Sequence, residues 1–287
     1  MNQVWLQALN GLVVGSSLAL VASGLALQFG VMNIINFAQG DFYMLGGYAL
    51  WLTLGATNNY VLSIIVAVAI VGIGGGLLLM ALFRPLMSKP EVLVLLATLG
   101  LSLILEQLAT NIFGGTTQMV APPIQSVVTV GSITYPVYDL VIIVAGVIVL
   151  VAAFFGLQYT KYGIWLRGVA QNGPMAAALG IPVRRVYLVA FMVSIALAAL
   201  AGGLLVPITS VYPTVGGDVI LSAFIIVVAG GLGNFKGAAA IAFLIGEVES
   251  LGSIAIKPAA VEVGLFALVI VLMIVRVRRS RNVLVRL

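Results

Sequence analysis

Long apolar stretches separated by short polar or glycine-containing breaks run through almost the whole chain. They cover residues 8–30, 42–55, 60–82, 92–113, 139–158, 185–206, 219–232, 238–254 and 259–275. Most are close to the length of about 20 helical residues that crosses a hydrocarbon core. The pattern predicts an all-α polytopic membrane protein with about nine transmembrane helices, in a range of about 8–10. The two shortest stretches are predicted to be broken or re-entrant.

Two polar breaks interrupt this pattern. The first carries Asn33, Asn36 and Gly40 at a spacing that places them on one helical face. The second, residues 229–237, is rich in glycine and contains Asn234, and a lipid-facing backbone there could not satisfy its hydrogen bonds. An Asn-Phe pair occurs in both breaks. Such breaks are typical of transporters built from structural repeats, with the substrate path between the repeats, and two unrelated turns are the alternative.

Composition supports a membrane protein and excludes several kinds of chemistry. The chain has 62% hydrophobic and 7% charged residues, far from the roughly 25% charged content of soluble domains. We expect its 287 residues to form a single transmembrane domain. Because the sequence contains neither cysteine nor histidine, it offers no thiol catalysis and lacks the commonest metal ligand. We therefore expect no catalytic residues and no metal site.

Nucleotide hydrolysis is also not expected of this chain. No glycine is followed by lysine, so the sequence contains no G-x-x-x-x-G-K-[ST] phosphate-binding loop. The G-x-S-x-G pattern of serine hydrolases is absent too. A cofactor bound by the chain itself is not predicted.

The positions of basic residues predict the orientation in the membrane, because cytoplasmic loops are enriched in lysine and arginine. With nine crossings, one face carries all but one of them: Arg84, Lys89, Lys161, Arg167, Arg184, Arg185, Lys236, Arg276, Arg278, Arg279, Arg281 and Arg286. Lys257 lies opposite. We predict an outside N-terminus and a cytoplasmic C-terminus, with the first apolar stretch retained as a helix. Topology and anionic lipid explain the pI of 9.6, so no nucleic-acid partner is expected.

Glycine spacing predicts close helix packing. Gly11 with Gly15, and Gly72 with Gly76, are four residues apart on one helical face. Small residues at this spacing let helix backbones approach within a membrane.

Three carboxylates, Glu106, Glu247 and Glu249, are candidates for intramembrane charges, and Glu106 and Glu247 are predicted to face the protein interior. A charged group at the centre of a membrane helix costs about 2.5–3.5 kcal/mol on insertion scales. Glu106 and Glu247 occupy such positions. They either line a polar path and contact a substrate amino group, or they form structural hydrogen bonds between helices.

A short helix is predicted within the basic loop at residues 160–184. Gly173 is an acceptable N-cap, Pro174 suits the first helical position, and Gly180 provides the stop. Exposed Met175 and Leu179 on two turns of helix favour docking into a groove of a partner protein. An interfacial helix lying on lipid is the alternative.

Several of these segments together resemble a known family. Residues 16–48 and 160–254 are similar to the membrane subunits of branched-chain amino-acid ABC importers, the LivH-type permeases. The stretches that carry the resemblance are 34–48 (IINFAQGDFYMLGGY), 166–172 (LRGVAQN), 177–181 (AALGI), 198–203 (AALAGG), Ala223 with Phe224, and 230–237 (GGLGNFKG). Many members have His and Glu where this chain has Gln39 and Asp41, and often Lys at Ser222, which bears on the choice of solute.

The resemblance implies an architecture and a set of partners. It implies a type II-like ABC importer permease fold, a second homologous permease, two ABC ATPases that hold ATP and magnesium, a periplasmic substrate-binding protein, and surrounding membrane lipid. The loop helix would couple to an ATPase, through Arg167, Gln171, Asn172, Pro174, Met175, Ala176, Leu179 and Gly180. The substrate path is predicted to involve Asn33, Asn36, Gln39, Asp41, Glu106, Asn234 and Glu247.

The residue pattern by itself predicts a membrane transporter, and the resemblance implies a permease subunit of a bacterial inner-membrane importer. The predicted cargo is a branched-chain amino acid or a related small solute such as urea or a short amide. The competing hypothesis is a stand-alone secondary transporter or channel that uses its intramembrane carboxylates.

Overall fold

The structure is a computed structural model that describes residues 2–86, 89–130, 133–257, 260, 261, 263–265 and 267. The described part is helical apart from one small hairpin. The helices are α1 (Asn2–Met32), α2 (Gln39–Thr57), α3 (Tyr60–Phe83), α4 (Glu91–Phe113), α5 (Val137–Tyr159), α6 (Lys161–Gln171), α7 (Gly173–Ala178), α8 (Val183–Thr209), α9 (Val215–Gly230) and α10 (Phe235–Gly252). Strands β1 (Val127–Val130) and β2 (Ile133–Pro136) pair antiparallel, with Val127 opposite Pro136.

The predicted apolar stretches coincide with helices. Eight of the nine correspond to α1, α2, α3, α4, α5, α8, α9 and α10. Five described helices, α1, α3, α4, α5 and α8, are long and apolar enough to cross a membrane. The ninth stretch and the basic residues from Arg276 onward lie largely or wholly outside the described residues. The expectation of an all-α polytopic membrane protein is confirmed.

The interior is built around α1 and α8, which are the most deeply buried of the membrane helices. Each packs against several neighbours: α1 against α5, α8, α9 and α10, and α8 against α1, α2 and α3. By contrast α4 touches the rest of the protein mainly through α2. The protein is thus a tight core of helices with α4 attached along a narrow seam.

Glycine allows this core to pack so closely. The pair Gly11 and Gly15 faces α10, at Glu247 and Phe243, which confirms the predicted close approach. The pair Gly72 and Gly76 faces α8, as expected. Between α2 and α8 the contact is closer still, because a Cβ atom on Gly202 would overlap the Tyr43 carbonyl.

The two ends of the helix bundle differ. We call one end the loop face, formed by residues 161–182 and 231–234, and the other the hairpin face, formed by residues 114–130 and 133–136. Helix α3 runs from the hairpin face, where the Tyr60 and Tyr138 hydroxyls lie 2.5 Å apart, to the loop face. There Phe83 stacks on Phe191 of α8, with ring centroids 4.9 Å apart. The described basic residues, except Lys257, lie toward the loop face.

A small hydrophobic cluster fixes the loop segment to the bundle. Leu166 and Val169 of α6 and Ala176 of α7 pack with Leu27 of α1 and Val186 of α8. Gly163 lies directly against the last turn of α5. Residues 161–182 are therefore packed against α1 and α8.

Candidate functional site at mid-depth

Two long helices end in similar breaks. After α1 the chain is non-helical over residues 33–38, and Asn33 has φ 52°. After α8 it is non-helical over residues 210–214, and Ser210 has φ 64°. The short helices α2 and α9 follow these breaks, and each carries an aspartate in its first turn, Asp41 and Asp218.

This arrangement corrects two sequence predictions. The expectation that Asn33, Asn36 and Gly40 share a helical face is wrong, because residues 33–36 are not helical. The glycine-rich residues 231–234 form a tight turn from α9 to α10, with Gly231 at φ 99° and Gly233 at φ 78°. The counterpart of the first break is therefore the one after α8, which the Asn-Phe pair did not indicate.

The first turns of α2 and α9 meet. A Cβ atom on Gly40 would overlap the Gly216 carbonyl, and one on Gly216 would lie 2.9 Å from both Asp41 N and Asp41 Oδ1. The two helices run in opposite directions from this point, α2 to the hairpin face and α9 to the loop face. We call the meeting point, with residues 36–41 and 215–218, the junction.

The junction lies at mid-depth in the bundle. Asp41 has Ser102 and Glu106 of α4 as electrostatic neighbours, and Ser102 is halfway along that helix, with Glu106 one turn further. Since each helical residue rises about 1.5 Å, Ser102 is about 16 Å from the start of α4. Gln39 reaches Ser194 near the centre of α8, to whose carbonyl its Nε2 donates at 3.0 Å.

Polar side chains at the junction are buried and largely bonded to one another. Gln28 Nε2 donates to Gln39 Oε1 at 3.0 Å, and the Ser194 hydroxyl donates to the same oxygen at 3.3 Å. Asn36 Oδ1 accepts from the Ala38 N–H at 3.1 Å. These bonds fix the first turn of α2 between α1 and α8.

Helix α4 supplies the remaining contact to the break. Thr98 Oγ1 accepts from the Phe37 N–H at 3.3 Å and donates to the Leu95 carbonyl at 2.9 Å. Thr98 is fully buried, so the bond joins α4 to the break inside the bundle.

Three polar atoms at or next to the junction have no hydrogen-bond partner in the described part of the chain. They are Asn36 Nδ2, Asp41 Oδ2 and Gln28 Oε1, on side chains that are 0%, 2% and 1% exposed. An unsatisfied buried polar group costs several kcal/mol in a membrane. One unpaired donor and two unpaired acceptors at this depth can bind water or a polar solute.

The face of α4 next to the junction continues this polar character. Ser102, Glu106 and Thr110 are four residues apart and half-buried, so they form one stripe along the helix. Gln107 and Asn111 are exposed nearer the hairpin face and are hydrogen bonded to each other at 3.1 Å. A row of polar side chains such as this is energetically unfavourable against lipid.

The structure brings together four of the seven residues predicted for the path. Asn36, Gln39, Asp41 and Glu106 lie at the junction. Asn33 is exposed at the loop face, and Asn234 caps α10 by accepting from the Gly237 N–H at 3.0 Å. Glu247 packs against Gly11 toward the hairpin face.

Sequence reasoning missed Ser102, Thr98 and Gly216. Ser102 could have been found from the sequence, because it lies four residues before Glu106. Gly216 carries no such signal, because its importance comes from a contact between distant parts of the chain.

The predicted loop helix is present as α7. Its N-cap is Asn172, whose Oδ1 accepts from the Met175 N–H at 2.9 Å, so the expected Gly173 cap is wrong by one residue. At the other end Gly180 has φ 81°, and the Ile181 N–H donates to the Ala176 carbonyl at 3.0 Å, which gives a Schellman motif. Both ends are therefore fixed by the local sequence.

The side chains of the loop divide into exposed and packed groups. Met175 is 60% and Leu179 is 75% exposed, whereas Ala176 is 3% exposed in the small cluster. Gln171, Asn172 and Pro174 are exposed as well. Arg167 turns back and donates to the carbonyls of Leu157 and Gln158 at the end of α5.

Comparison with known proteins identifies the family. Residues 7–275 match the family described as branched-chain amino acid transport system, permease component. The chain belongs to this family. It is therefore a multi-pass membrane permease, as the resemblance predicted.

Curated relatives from the same family align with this chain over most of their length. The chain is 28% identical to the high-affinity branched-chain amino acid transport system permease protein LivH of Escherichia coli K12, over 94% of this chain and 92% of the relative. It is 30% identical to a probable LivH permease of Methanocaldococcus jannaschii, over 85% and 79%. The permease BraD of Pseudomonas aeruginosa is 24% identical over 94% and 93%. No solved structure matches the chain.

Proposed function

We propose that this chain is one of two permease subunits of an ATP-driven inner-membrane importer for a branched-chain amino acid or a related small solute. The second permease would be a homologue, two ABC ATPases would bind ATP and magnesium, and a periplasmic binding protein would deliver the solute. The observation that carries the proposal is the buried polar junction at mid-depth in a permease of this family. The chain itself would catalyse no reaction.

The solute path would run along α4 and past the junction. The stripe of Ser102, Glu106 and Thr110 offers polar contacts over about 12 Å of a membrane helix. Asp41 and Glu106 provide negative charge for an ammonium group, while Asn36 Nδ2 offers a donor. The weak attachment of α4 leaves much of its surface for the second permease, so the path would lie between the two subunits.

The loop face would be cytoplasmic. Lysine and arginine concentrate at that face, as expected for cytoplasmic loops. The N-terminus would then be outside and the C-terminus inside, and residues 160–184 would meet the ATPase. The movement of the ATPases would reach α1 and α8 through the small cluster that holds α6 and α7.

The identity of the complex can be tested by purifying the tagged protein from native membranes in mild detergent. Co-purification of a second permease and P-loop ATPases, with ATPase activity, is the expected result. A chain recovered alone that moves solute into vesicles under a proton gradient would instead establish secondary transport. The nearby carboxylates Asp41 and Glu106 make that second function worth testing, because intramembrane carboxylates carry protons in such transporters.

Docking of α7 can be tested with Met175→Asp and Leu179→Asp. Both side chains are exposed, so the protein should insert normally while ATPase co-purification and solute uptake fall. Ile256→Asp at the opposite end, where the side chain is 58% exposed, is the control. Undiminished ATPase recovery with both loop variants would contradict the assignment.

A further inference from the structure

A cavity of about 300 Å³ opens at the loop face between α1, α5, α6 and the start of α10. Two cationic residues, Arg167 and Lys236, line it, together with Asn234 and Gln158. No carboxylate belongs to the described lining. Two cations without a carboxylate in the lining make the cavity better suited to an anion than to a cation.

The two cations are held in place by groups that leave donors free. Arg167 uses part of its guanidinium group on the Leu157 and Gln158 carbonyls, and a guanidinium has five N–H donors. The Lys236 Nζ lies 4.3 Å from the centroid of the Phe154 ring, an attraction that uses none of its N–H groups as conventional donors. Lys236 also lies in the first turn of α10, where the helix dipole favours negative charge.

An apolar groove continues from this cavity into the membrane. It has a volume of about 270 Å³ and runs between α5 and α10, with Val147, Leu150, Val151, Ala239 and Phe243 along it. Phe154, Phe235 and Lys236 line both the cavity and the groove, so the two spaces adjoin. From Phe235 to Phe243 the groove follows about 12 Å of helix.

Aromatic residues place the cationic cavity at the level of lipid headgroups. Tyr159, Tyr162 and Trp165 lie around the join of α5 and α6, and tyrosine and tryptophan are enriched at membrane interfaces. The Lys161 Nζ lies 5.3 Å from the centroid of the Trp165 ring. A ligand seated here would have its charge at the interface and its tail in the hydrocarbon.

We propose that this cavity and groove form a binding site for one anionic glycerophospholipid, whose phosphate lies between Arg167 and Lys236 and one of whose acyl chains lies between α5 and α10. Such a lipid would join the end of α5, the α6 loop and the start of α10. The proposal is independent of which solute the permease carries.

The charge requirement can be tested on the intact complex in nanodiscs, with native mass spectrometry to measure retained lipid. Phosphatidylglycerol should be retained in preference to phosphatidylcholine. Lys236→Gln should lower that retention about five-fold, since one cation near a membrane contributes about 1 kcal/mol to anionic lipid binding. Lys89→Gln, an exposed cation at the same face, should leave it unchanged. Equal retention of the two lipids, or no effect of Lys236→Gln, would overturn the proposal.

The groove can be tested with a matched pair of neighbouring alanines. Ala239 lines the groove whereas Ala240 is exposed and does not. Ala239→Phe should reduce phosphatidylglycerol retention about ten-fold or more by displacing buried methylene groups, at about 0.8 kcal/mol each, and Ala240→Phe should not. Added glycerol phosphate should compete poorly with the lipid. Efficient competition would show a site for free phosphate compounds and contradict the acyl-chain part of the proposal.

Discussion

Glycine and polar residues have different roles in the two regions of the protein, the core of α1, α2 and α8 and the peripheral helix α4. In the core, glycines such as Gly46 and Gly202 bring backbones together and polar side chains are bonded across helices. Along α4, Gly100 has no neighbour within 4 Å of where a Cβ would lie, and Glu106 is only half-buried. Close packing therefore belongs to the core, while α4 carries half-buried and exposed polar side chains on a face that can contact a partner or a solute.

The strongest contrast is expected from the same substitution in both regions. Gly46→Leu would drive a side chain into Ala199 of α8 and should cost more than about 3 kcal/mol, the upper end for ordinary overpacking, because backbone must move. Gly100→Leu should fold like the parent protein. Thermal stability in detergent, followed by size-exclusion chromatography, measures both.

A monodisperse, equally stable Gly46→Leu protein would refute the packing described between α2 and α8. Gly55→Leu offers a second control, since nothing lies within 4 Å of a Cβ at that position of α2 either.

The second largest effect is expected on solute uptake, for a variant of Glu106 that should still fold. Glu106→Gln keeps the shape of the side chain but removes its charge, so uptake by the complete complex should fall about ten-fold, which equals 1.4 kcal/mol. A hydrogen bond to a charged group contributes about 1.5–3 kcal/mol, which sets this scale. Glu91→Gln, on the exposed first turn of the same helix, is the matched control and should keep normal uptake.

Initial uptake rates should be compared at equal amounts of membrane-inserted protein. If Glu106→Gln and Glu91→Gln transport equally well, Glu106 is a structural residue, as the alternative interpretation of its position held.

The smallest effect is expected on the stability of the protein when Thr98, which joins α4 to the break before α2, is replaced. Thr98→Val is nearly isosteric and removes the hydroxyl that accepts from the Phe37 N–H at 3.3 Å. The loss should destabilise the protein by about 1 kcal/mol. The melting temperature in detergent should drop by a few degrees, whereas Thr110→Val, which loses only a bond to the Glu106 carbonyl of its own helix, should change it less.

Equal melting temperatures for the two threonine variants would mean that α4 is not joined to the first break through Thr98.

The sequence did not predict α6, but it predicted α7 and the helices of the apolar stretches well because local residues mark their limits. Asn59 and Gly180 are examples: one caps the start of α3 by accepting from the Leu62 N–H, and the other ends α7 with a positive φ. The site was only partly predictable. Glu106 was recognised as an intramembrane carboxylate and Asp41 was predicted for the substrate path, but their proximity depends on α2 and α4 packing together, which no local pattern encodes.

The hairpin and the break after α8 were likewise not predicted from local sequence patterns. Strands β1 and β2 lie in a segment with no clear apolar alternation. The break after α8 follows Pro207 and begins at Ser210, which adopts a left-handed conformation that serine rarely takes. Pairing of Val211 with Gln118 replaces the helical hydrogen bonds there.

The pairing of Gln118 with Val211 connects an extramembrane loop to the middle of the protein. The Gln118 N–H donates to the Val211 carbonyl at 2.8 Å, and the Val211 N–H donates back at 3.0 Å. Val211 is only five residues before Gly216, where α9 abuts α2. A binding protein that contacts residues 114–126 would thus be connected to the junction through a short stretch of backbone, so delivery of the solute and opening of its path would be coupled.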